Sequence, residues 1–521
     1  MLLESLPILS YTHLLLTSAA ALTLYSLGLA AYRLFLSPIS KFPGPWLAAA
    51  TGWYEFYYDV IDGGTYPWKI VELHKQYGPI IRINPWELHV SDPDFYSTLY
   101  VPSSVRRTGM FPRQRNGMGV NDSHNATVDH DLHRSRRKPL DVFFSRQSIE
   151  RIESMIAHEV RLLDEQFTAL KGTNTVVNLE HAFASITGDI IGQICSEQPI
   201  SLVTGPEFSP HWYNLIYTCI AQTPLFMHFP WVVECLAFIP LGFLLRFYSG
   251  GVAFREYIAL ARRHIEEAKQ SKLSAEAVHH NPKSSLVRYI MSSDDLPESE
   301  KATDRLGREV MLILGAGTAS TTRALNLVTY YAFAHPHIAK RLRRDLAPVT
   351  KGYPDVMPKW SEVEKVPYLA ACIKEGLRLS YGILRRLPRT SPDVELQYKQ
   401  WAIPKNASVA CETTPVGMSA YMMHTDPEAF PEPFKFIPER WLGDYNPLMN
   451  RNFVPFSKGS RNCLGMNLVY AEMNLALAVI FRPAGPRMRI YETDESDVVL
   501  SLDWVIPVPK ADSRGTRVMI E

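Results

Sequence analysis

A short loop around one cysteine constrains this chain more than any other part of its sequence. Residues 456–465 read Phe-Ser-Lys-Gly-Ser-Arg-Asn-Cys-Leu-Gly, and the apolar pattern of residues 466–480 predicts a helix directly after them. A cysteine that stands just before a helix N-terminus lies at the positive end of the helix dipole, which favours its thiolate form. Cys463 is therefore predicted to carry a reactive sulfur.

The residues around Cys463 support this interpretation. Gly459 can adopt a positive φ, and Gly465 has no Cβ, so another surface can approach it closely. Arg461 places a positive charge in the same loop. A lone cysteine is more often a buried and inert thiol, but these neighbours favour an exposed, anionic sulfur that can bind a metal ion.

Composition excludes some classes of function and leaves this cysteine free to act as a ligand. The chain has 54 basic and 53 acidic residues, so it has no overall field that would attract a nucleic acid. Its 521 residues, 46% of them hydrophobic, can bury a sizeable core. The six cysteines include no CxxC pair, which indicates reduced thiols in a reducing compartment rather than a disulfide framework.

An uncharged apolar segment near the N-terminus predicts a membrane anchor. Residues 14–32 carry no charge, and about twenty apolar residues suffice to cross a bilayer as a helix. Arg33 and Lys41 follow this segment, so the positive-inside rule places the rest of the chain in the cytosol. A cleaved signal peptide is the alternative, although it would normally begin with basic residues and be shorter. We predict an anchor, a proline-rich hinge and a single folded body, over residues 1–36, 37–45 and 46–521.

A second apolar region covers residues 225–247. It contains Pro230, Pro240 and Glu234, which would interrupt a membrane-spanning helix. Three interpretations remain: a second crossing, burial in the core, and a surface patch that dips into the bilayer interface. The prolines favour the last two.

The remaining sequence predicts a mainly helical fold with a smaller β region. Helical spacing of apolar residues runs through 126–290, and the polar stretch 269–304 predicts an exposed connection. A helix over 303–334 would be about 50 Å long at 1.5 Å per residue. Strand-like segments, the first of them a predicted hairpin, lie at 80–90, 390–412 and 495–520.

The cysteine loop resembles the haem-binding signature of the cytochrome P-450 family. That signature is FxxGxRxCxG, and its fixed positions here are Phe456, Gly459, Arg461, Cys463 and Gly465. The resemblance extends from the hinge to the C-terminus, because further family motifs follow in the expected order. It implies haem b with Cys463 as the axial iron ligand, and a helical catalytic domain with a small β region. Thiolate ligation favours cleavage of the O–O bond.

An acidic and a basic residue on one predicted helix form the second motif. Glu375 and Arg378 are three residues apart and lie on one helix face, where they can pair. Alone, such a pair is usually solvated and contributes little. The resemblance implies that both interact with Arg440 of the sequence Pro-Glu-Arg and brace the haem loop. Their expected role is structural and not catalytic.

A basic run over residues 133–138 could be a solvated helix face. The resemblance implies instead that His133 and Arg137 bind the haem propionates, to which a guanidinium is suited because it binds carboxylates through two hydrogen bonds. It also implies a second propionate-binding arginine, for which Arg389 is the first candidate and Arg386 the near alternative.

The predicted long helix contains Gly-Ala-Gly-Thr-Ala-Ser-Thr-Thr at residues 315–322. It resembles the family pattern (A/G)Gx(D/E)T, in which small residues make room for oxygen and an acid–alcohol pair relays protons. Ala319 replaces the acid and Ser320 the threonine. We predict that Ser320 is the oxygen-side hydroxyl and that protons arrive through water, with Thr321 as the alternative. Close helix packing is the other interpretation of the small residues, among which Ala316 and Gly317 are predicted to line the groove.

The implied function is that of a monooxygenase. Residues 53–58 and 77–85 resemble filamentous-fungal, trichodiene-oxygenase-like members of the family. We expect a hydrophobic terpenoid or polyketide-derived substrate in secondary-metabolite biosynthesis, and an anchor in the endoplasmic reticulum membrane with the catalytic domain cytosolic. Electrons would come from NADPH through NADPH–cytochrome reductase, with cytochrome b5 as an optional second donor. Two alternatives remain: an isomerase or dehydratase that consumes no O₂, which the missing acid suggests, and a non-catalytic haem sensor.

Overall fold

The computed structural model describes residues 8–196, 200–236, 238–270, 285–405 and 413–521. Part of the predicted connection over 269–304 and the end of the strand region predicted at 390–412 lie outside these residues. Cys411 lies outside them as well. The other five cysteines are unpaired thiols.

Helices form most of the described chain, as predicted. Before the long central helix they are α1 (Ile8–Ala31), α2 (Trp46–Ala50), α3 (Trp53–Phe56), α4 (Tyr66–Tyr77), α5 (Tyr96–Leu99), α6 (His130–Phe143), α7 (Arg146–Arg151), α8 (Glu153–Ala169), α9 (Leu179–Cys195), α10 (Pro210–Ala221), α11 (Thr223–His228), α12 (Trp231–Leu236), α13 (Leu241–Phe247), α14 (Ser249–Gln270) and α15 (Leu286–Met291). From the central helix onwards they are α16 (Thr303–Ala334), α17 (Pro336–Leu346), α18 (Trp360–Val363), α19 (Pro367–Leu379), α20 (Ala420–His424), α21 (Leu448–Asn452) and α22 (Met466–Ile480). Two π-helical turns, Tyr32–Leu36 and Tyr57–Ile61, follow α1 and α3.

The long helix α16 organises the core. It begins and ends where the sequence predicts, and it stops at His335 because the residue before a proline, here Pro336, is disfavoured in helical conformation. Most of its side chains are buried, and it packs against α9, α14, α19 and α22. Its 32 residues span about 48 Å, so one element supports helices from both halves of the chain.

The strands are short and form four small sheets. They are β1 (Ile80–Arg82), β2 (Leu88–Val90), β3 (Gly109–Met110), β4 (Val176–Asn178), β5 (Arg389–Thr390), β6 (Leu396–Tyr398), β7 (Trp401–Ile403), β8 (Val416–Gly417), β9 (Met488–Ile490), β10 (Leu502–Trp504), β11 (Ile506–Val508) and β12 (Arg517–Ile520). The largest sheet has the order β1-β2-β8-β5-β3, and the others are β4-β12-β9, β6-β7 and β10-β11.

The largest sheet joins the two ends of the body. The predicted hairpin is β1–β2, an antiparallel pair with Ile81 opposite His89. β2 pairs in parallel with β8, and in the antiparallel pair of β3 and β5 Met110 lies opposite Arg389. The sheet therefore brings Arg389 next to the segment that leads into α6.

The N-terminal helix is mostly exposed and separate from the core. Together with the π turn that follows it, this helix forms the single candidate membrane span within the described residues, Tyr11–Leu36. The predicted hinge is packed against the body, because Ile39 is fully buried and the ring of Phe42 stacks on Trp401 with 4.9 Å between ring centroids. It is therefore a docked connection and not a free joint.

The second apolar region, 225–247, folds into three short helices of six or seven residues, α11 to α13. They are separated near Pro230 and Pro240, and none is long enough to cross a bilayer. The structure thus favours a surface patch over a second crossing. The members of this apolar patch are 49–87% exposed: Trp231, Phe238, Leu241, Phe243, Leu245 and Phe247.

Candidate active site

Cys463 lies directly before α22. Its N–H donates to the carbonyl oxygen of Phe456 at 2.9 Å, which closes the loop. The N–H groups of Gly465 and Met466, at the start of α22, point to the sulfur. Protein surrounds the sulfur, yet it is accessible to solvent, so its accessible surface faces an interior space. A ligand in that space can reach the sulfur.

The electrostatics of this sulfur differ in part from the prediction. Burial raises the pKa of the Cys463 thiol, and the N–H groups at the start of α22 and the guanidinium of Arg137 lower it only in part. The predicted positive charge beside the sulfur therefore comes from Arg137 and not from Arg461. A buried thiol of this kind loses its proton when a metal ion binds the sulfur.

Two arginines, one in α6 and one in the cysteine loop itself, connect the loop to α6 and to the segment before it. Arg137 donates to the carbonyl oxygen of Asn462 at 2.5 Å and to its side-chain oxygen at 3.0 Å. Arg461 donates to the carbonyl oxygens of Thr127 and Val128, at 2.7 and 3.1 Å. The arginine of the loop thus reaches the segment before α6, while an arginine of α6 reaches the loop. Their hydrogen bonds fix the residues on both sides of the cysteine.

The two loop glycines have different roles. Gly459 has a φ of +79°, and a Cβ there would lie 2.5 Å from the carbonyl oxygen of Val101, so this position requires glycine. A Cβ on Gly465 would meet no described protein atom within 4 Å. The close approach predicted for Gly465 is therefore not made by another described part of the chain.

Four basic side chains from three parts of the chain converge beside the loop. They are His133, Arg137, Arg389 and Arg461, and each is at most 9% exposed. Their mutual proximity is evident in His133, whose pKa is lowered by burial and by the charges of the three arginines. Burial and the charges of Arg389 and Arg137 likewise lower the pKa of Arg461, to about 9.

Only part of this cluster is balanced by protein anions: Arg137 pairs with Asp141 at 2.9 Å, whereas Arg389 and Arg461 form no ion pair with a carboxylate of the described residues. Within the part of the chain that the structure describes, His133 Nδ1 and Arg461 Nε have no hydrogen-bond partner. Arg389 donates to the carbonyl oxygen of its neighbour Pro388 at 3.3 Å, and no carboxylate of the described residues forms an ion pair with it. A buried cation without a counter-ion is costly, so the cluster fits an anionic ligand.

Arg386, the alternative to Arg389, is placed differently. Its guanidinium forms ion pairs with Glu55 and with Glu87, the latter at 2.9 Å, and all three side chains are largely buried. Its charge is therefore already balanced by protein carboxylates, whereas that of Arg389 is not.

Glu375, Arg378 and Arg440 meet in a network whose centre, the Glu375 carboxylate, is fully buried. The guanidinium of Arg378 donates two hydrogen bonds to the Glu375 carboxylate, at 2.9 and 2.8 Å, and neither side chain is exposed. Arg440 donates to the same carboxylate at 3.1 Å, and so does the indole N–H of Trp441 at 2.9 Å. Unlike a solvated surface pair, this network is shielded from water, so loss of one partner would be strongly destabilising.

A buried histidine connects this network to the cysteine loop. His424 Nδ1 donates to the carbonyl oxygen of Arg378, and His424 Nε2 accepts from the N–H of Val454, both at 2.9 Å. Val454 lies two residues before Phe456. This connection extends the Glu375 network to the start of the loop, and it requires a neutral imidazole ring.

The predicted oxygen groove lies on one face of α16. Ala316 and Ser320, one turn apart, are accessible in the middle of a helix that is otherwise largely buried. Ser320 Oγ donates to the carbonyl oxygen of Ala316 at 2.9 Å, which leaves its lone pairs free to accept a hydrogen bond. These two residues therefore border an interior space, as the sulfur of Cys463 does.

The other small and hydroxyl residues of this segment face elsewhere. A Cβ on Gly317 would lie 2.6 Å from the side chain of Ile191, so this glycine serves the packing of α16 against α9. The groove position predicted for Gly317 is thus corrected to a packing position. The side chain of Thr321 is 1% exposed and turns away from the accessible face. Ser320 is accordingly the hydroxyl on the open side.

These features fit a haem group. The residues present supply an accessible sulfur, two buried arginines without a carboxylate partner among the described residues, and a helix face of small side chains. The iron of haem matches the sulfur, its two propionate carboxylates match the buried arginines, and its flat apolar ring matches the helix face of small side chains. His133 and Arg461, with their unpartnered nitrogens, mark where the propionates would lie.

Sequence reasoning missed several residues that position this site. Asn462 receives Arg137, Trp441 donates to Glu375, and His424 connects that network to the loop. A side-chain hydrogen bond between distant segments leaves no periodic pattern in the sequence. Only the position of Asn462, adjacent to the cysteine, gave a signal that could have been used.

Comparisons with known proteins agree with this geometry. The family model for cytochrome P-450 matches residues 53–483. The cytochrome P-450 monooxygenase tndB of Aspergillus flavipes is 50% identical over 465 residues, which cover 86% of this chain and 94% of that protein. Stellatic acid synthase of Emericella variicolor is 46% identical over 525 residues, 96% of this chain and 94% of the other. Fusicoccadiene C-8 hydroxylase of Phomopsis amygdali is 43% identical over 495 residues, which cover 94% of this chain and 93% of that protein.

Proposed function

The chain belongs to the cytochrome P-450 family, and from this premise we propose that it inserts oxygen from O₂ into a hydrophobic natural-product skeleton. Its monooxygenase relatives make it an oxidoreductase with an oxygenating role. The skeleton is terpenoid or polyketide-derived and belongs to secondary-metabolite biosynthesis. One observation carries the proposal: the accessible sulfur of Cys463 lies beside two buried arginines, Arg389 and Arg461, that form no ion pair with a carboxylate of the described residues.

Each part of the site has a role in holding haem. Cys463 is the iron ligand, and Arg137 and Arg461 fix the loop around it. Arg389, His133 and the free Nε of Arg461 bind the propionates, since Arg386 is already engaged with two carboxylates. Glu375, Arg378 and Arg440 brace the loop and touch no reacting atom.

Haem bound through a thiolate supplies O₂ activation and the oxidising power. The protein supplies orientation and proton handling. Ala316 would leave room beside the bound haem, and Ser320 Oγ can accept a hydrogen bond from water while its own hydroxyl donates to the carbonyl oxygen of Ala316. This arrangement lets Ser320 hold the water that delivers protons, in place of the acid that Ala319 lacks.

The substrate class is supported by the relatives' names. Fusicoccadiene C-8 hydroxylase, as named, hydroxylates one carbon of a diene, and stellatic acid synthase forms an acid. Both names describe oxygen added to a carbon skeleton. An apolar substrate also agrees with the position of the apolar patch, through which a membrane-dissolved compound can reach the protein.

Electrons enter from NADPH through NADPH–cytochrome reductase, with cytochrome b5 as a second donor. Arg134 and Lys138 are exposed on α6, the same helix from which Arg137 reaches the cysteine loop. Lys138 pairs with Asp295 at 2.7 Å, so Arg134, which forms no ion pair among the described residues, is the cation of α6 that can meet an acidic redox partner.

The protein is a single-pass membrane protein of the endoplasmic reticulum with its catalytic domain in the cytosol. The span Tyr11–Leu36 is followed by Lys41, which supports this orientation. The rings of Trp53 and Phe229 lie 6.0 Å apart, so the segment after the anchor contacts the start of the apolar patch. Both surfaces can meet one bilayer.

The test is turnover of the full chain, co-expressed with a reductase in yeast and supplied with a panel of terpene hydrocarbons under ¹⁸O₂. We expect at least one product that carries a single ¹⁸O atom and requires NADPH. Conversion without label would indicate an isomerase or dehydratase. Haem binding without any reductase-dependent conversion across the panel would instead favour a sensor.

A further inference from the structure

A cavity of about 260 Å³ lies where the N-terminal helix meets the body of the protein. Its walls come from the end of the candidate membrane span, the segment around α3, the turn of the hairpin β1–β2, the segment before α6 and the end of α11. Trp53, on this wall, is 62% exposed, and Arg33 lies in the final turn of the span. The cavity therefore opens close to the level at which the anchor leaves the bilayer.

The more exposed end of this cavity carries positive charge. The guanidinium groups of Arg33 and Arg113 lie 5.1 and 3.4 Å from the centre of the Trp86 ring, so both cations meet at one side chain. Arg33 donates to the carbonyl oxygen of Ala50 at 2.9 Å and forms no ion pair with a carboxylate of the described residues. Arg82, which is 1% exposed and donates to the carbonyl oxygen of Arg33 at 2.7 Å, likewise pairs with no described carboxylate. An anion beside Arg33 would meet charge that these acidic residues leave unbalanced.

The buried end of the cavity has an excess of acidic groups. Two guanidinium groups face four carboxyl groups there. The ion pairs are those of Arg385 with Asp59 and Asp503, at 2.7 and 3.4 Å, and those of Arg386 with Glu55 and Glu87, the latter at 2.9 Å. Glu55 and Glu87 line the cavity, and burial together with the charge of Glu55 raises the pKa of Glu87 to about 7. A cation at this end would stabilise the charged form of both carboxyl groups.

An acceptor without a donor also lines the cavity. The amide nitrogen of Gln114 donates to the carbonyl oxygen of Arg386 at 3.2 Å, which assigns Oε1 as the other atom of the amide. This oxygen is buried and accepts no hydrogen bond from the described residues. A buried acceptor without a donor is costly, so a ligand that carries an N–H group would satisfy it.

We propose that this cavity binds the headgroup of a phospholipid that ends in a primary ammonium group, with its phosphate beside Arg33 and Arg113. The ammonium group lies at the buried end, where it donates to Gln114 Oε1 and to the carboxylates of Glu55 and Glu87. A trimethylammonium group has no N–H to donate, and phosphatidic acid has no cation. Choline lipids and phosphatidic acid therefore match only one end of the cavity.

This inference rests on the proposed function, in which the chain is anchored in a membrane, but its test needs no turnover. The full-length, haem-loaded chain is exchanged in micelles against an equal mixture of phosphatidylethanolamine, phosphatidylcholine and phosphatidic acid with identical acyl chains. Native mass spectrometry then counts the retained lipids. We expect one phosphatidylethanolamine to be retained about tenfold more often than either competitor, the discrimination typical of one hydrogen bond to a charged group.

Two substitutions test the two ends of the headgroup separately. Arg113→Gln should lower the retention of phosphatidylethanolamine about tenfold, because the phosphate loses a cation. Gln114→Met should lower the preference for phosphatidylethanolamine over phosphatidylcholine several-fold, because the ammonium group loses an acceptor. Arg115→Gln is the matched control, since Arg115 is exposed, lies two residues from Arg113 and does not line the cavity. Haem content and thermal unfolding report the folding of each variant.

A crosslinking measurement on the wild type avoids any effect of substitution on folding. A phosphatidylethanolamine with a photoreactive group at the glycerol end of one acyl chain is incorporated into phosphatidylcholine nanodiscs that hold the full chain. We expect labelled peptides from the rim of the cavity, around Trp53 and Arg113. Added phosphatidylethanolamine should suppress this labelling, and the same amount of added phosphatidylcholine should not.

Several outcomes would overturn the inference. They are equal retention of the three lipids by the wild type, a preference for phosphatidic acid, which would indicate an anion site alone, equal losses in Arg113→Gln and Arg115→Gln, and crosslinking that phosphatidylethanolamine does not suppress. Oxygenated product from a wild type without lipid preference would leave the proposed function standing. Selective retention by a haem-loaded wild type that converts no substrate would refute the function alone.

Discussion

The guanidinium of Arg137 donates to both oxygens of Asn462, the residue immediately before Cys463, at 2.5 and 3.0 Å. This contact joins α6 to the cysteine loop across a sequence separation of more than three hundred residues. It also places the positive charge that partly offsets the effect of burial on the pKa of the thiol. One side chain thus contributes to both the shape and the charge of the ligand site.

Replacement of Arg137 by Ala should therefore weaken haem retention by about tenfold or more, because charge-assisted hydrogen bonds contribute roughly 1.5–3 kcal/mol. The measurement is the ratio of thiolate-ligated haem to protein after gel filtration. Arg134→Ala, an exposed arginine of the same helix, should retain haem normally. Equal retention in both variants would remove Arg137 from the site.

Arg389 and Arg386 should respond in opposite ways to substitution by Gln. Arg389→Gln leaves no protein anion unpaired, so the fold should persist while haem affinity falls. Arg386→Gln leaves Glu55 and Glu87 without their cation, and loss of one partner of a buried ion pair costs about 3–5 kcal/mol. Chemical denaturation and haem titration of the two variants separate these effects. The reverse pattern would assign the propionate to Arg386.

Ser320→Ala should lower product formed per NADPH several-fold, since removal of the hydroxyl releases the water that delivers protons. Thr318→Ala is the matched control, because this neighbouring hydroxyl of α16 is fully buried and faces away from the groove. The readout is NADPH consumption against product and peroxide. Equal coupling in Ser320→Ala and wild type would show that the groove water is held by another group.

Acid should loosen the cysteine loop through His424. Burial and the charge of Arg378 lower the pKa of His424 to about 3, against 6.5 for an unperturbed histidine. Between these values the unfolded chain binds a proton that the folded chain does not, so stability falls as pH drops from about 6.5 towards 3. His424→Gln should be less stable at pH 7 and show a flatter decline below pH 6.5. Thermal unfolding at a series of pH values measures both, and a parallel decline in the variant would exclude His424 as the cause.

Local patterns predicted the elements that carry the site. The hairpin β1–β2, the limits of α16, and the helix after the cysteine loop all follow from apolar periodicity and from prolines, which act within a few residues. Arg378 lies three residues from Glu375 on one helix, so their contact also follows from local geometry.

Contacts between distant segments could not be predicted in this way. Gly317 suited an oxygen groove in sequence, and only the position of Ile191 on α9 assigns it to helix packing. Arg461 stands two residues from Cys463, but its hydrogen bonds lead away to the segment before α6.

The most direct test of the account is the reduced-CO difference spectrum of the full chain with and without Cys463. Haem held by a cysteine thiolate gives a strongly red-shifted Soret band in this state. We predict that band in the freshly reduced wild type and its loss in Cys463→Ser. A wild-type spectrum typical of a nitrogen ligand, or a red-shifted band that survives in Cys463→Ser, would contradict the assignment of Cys463 as the iron ligand.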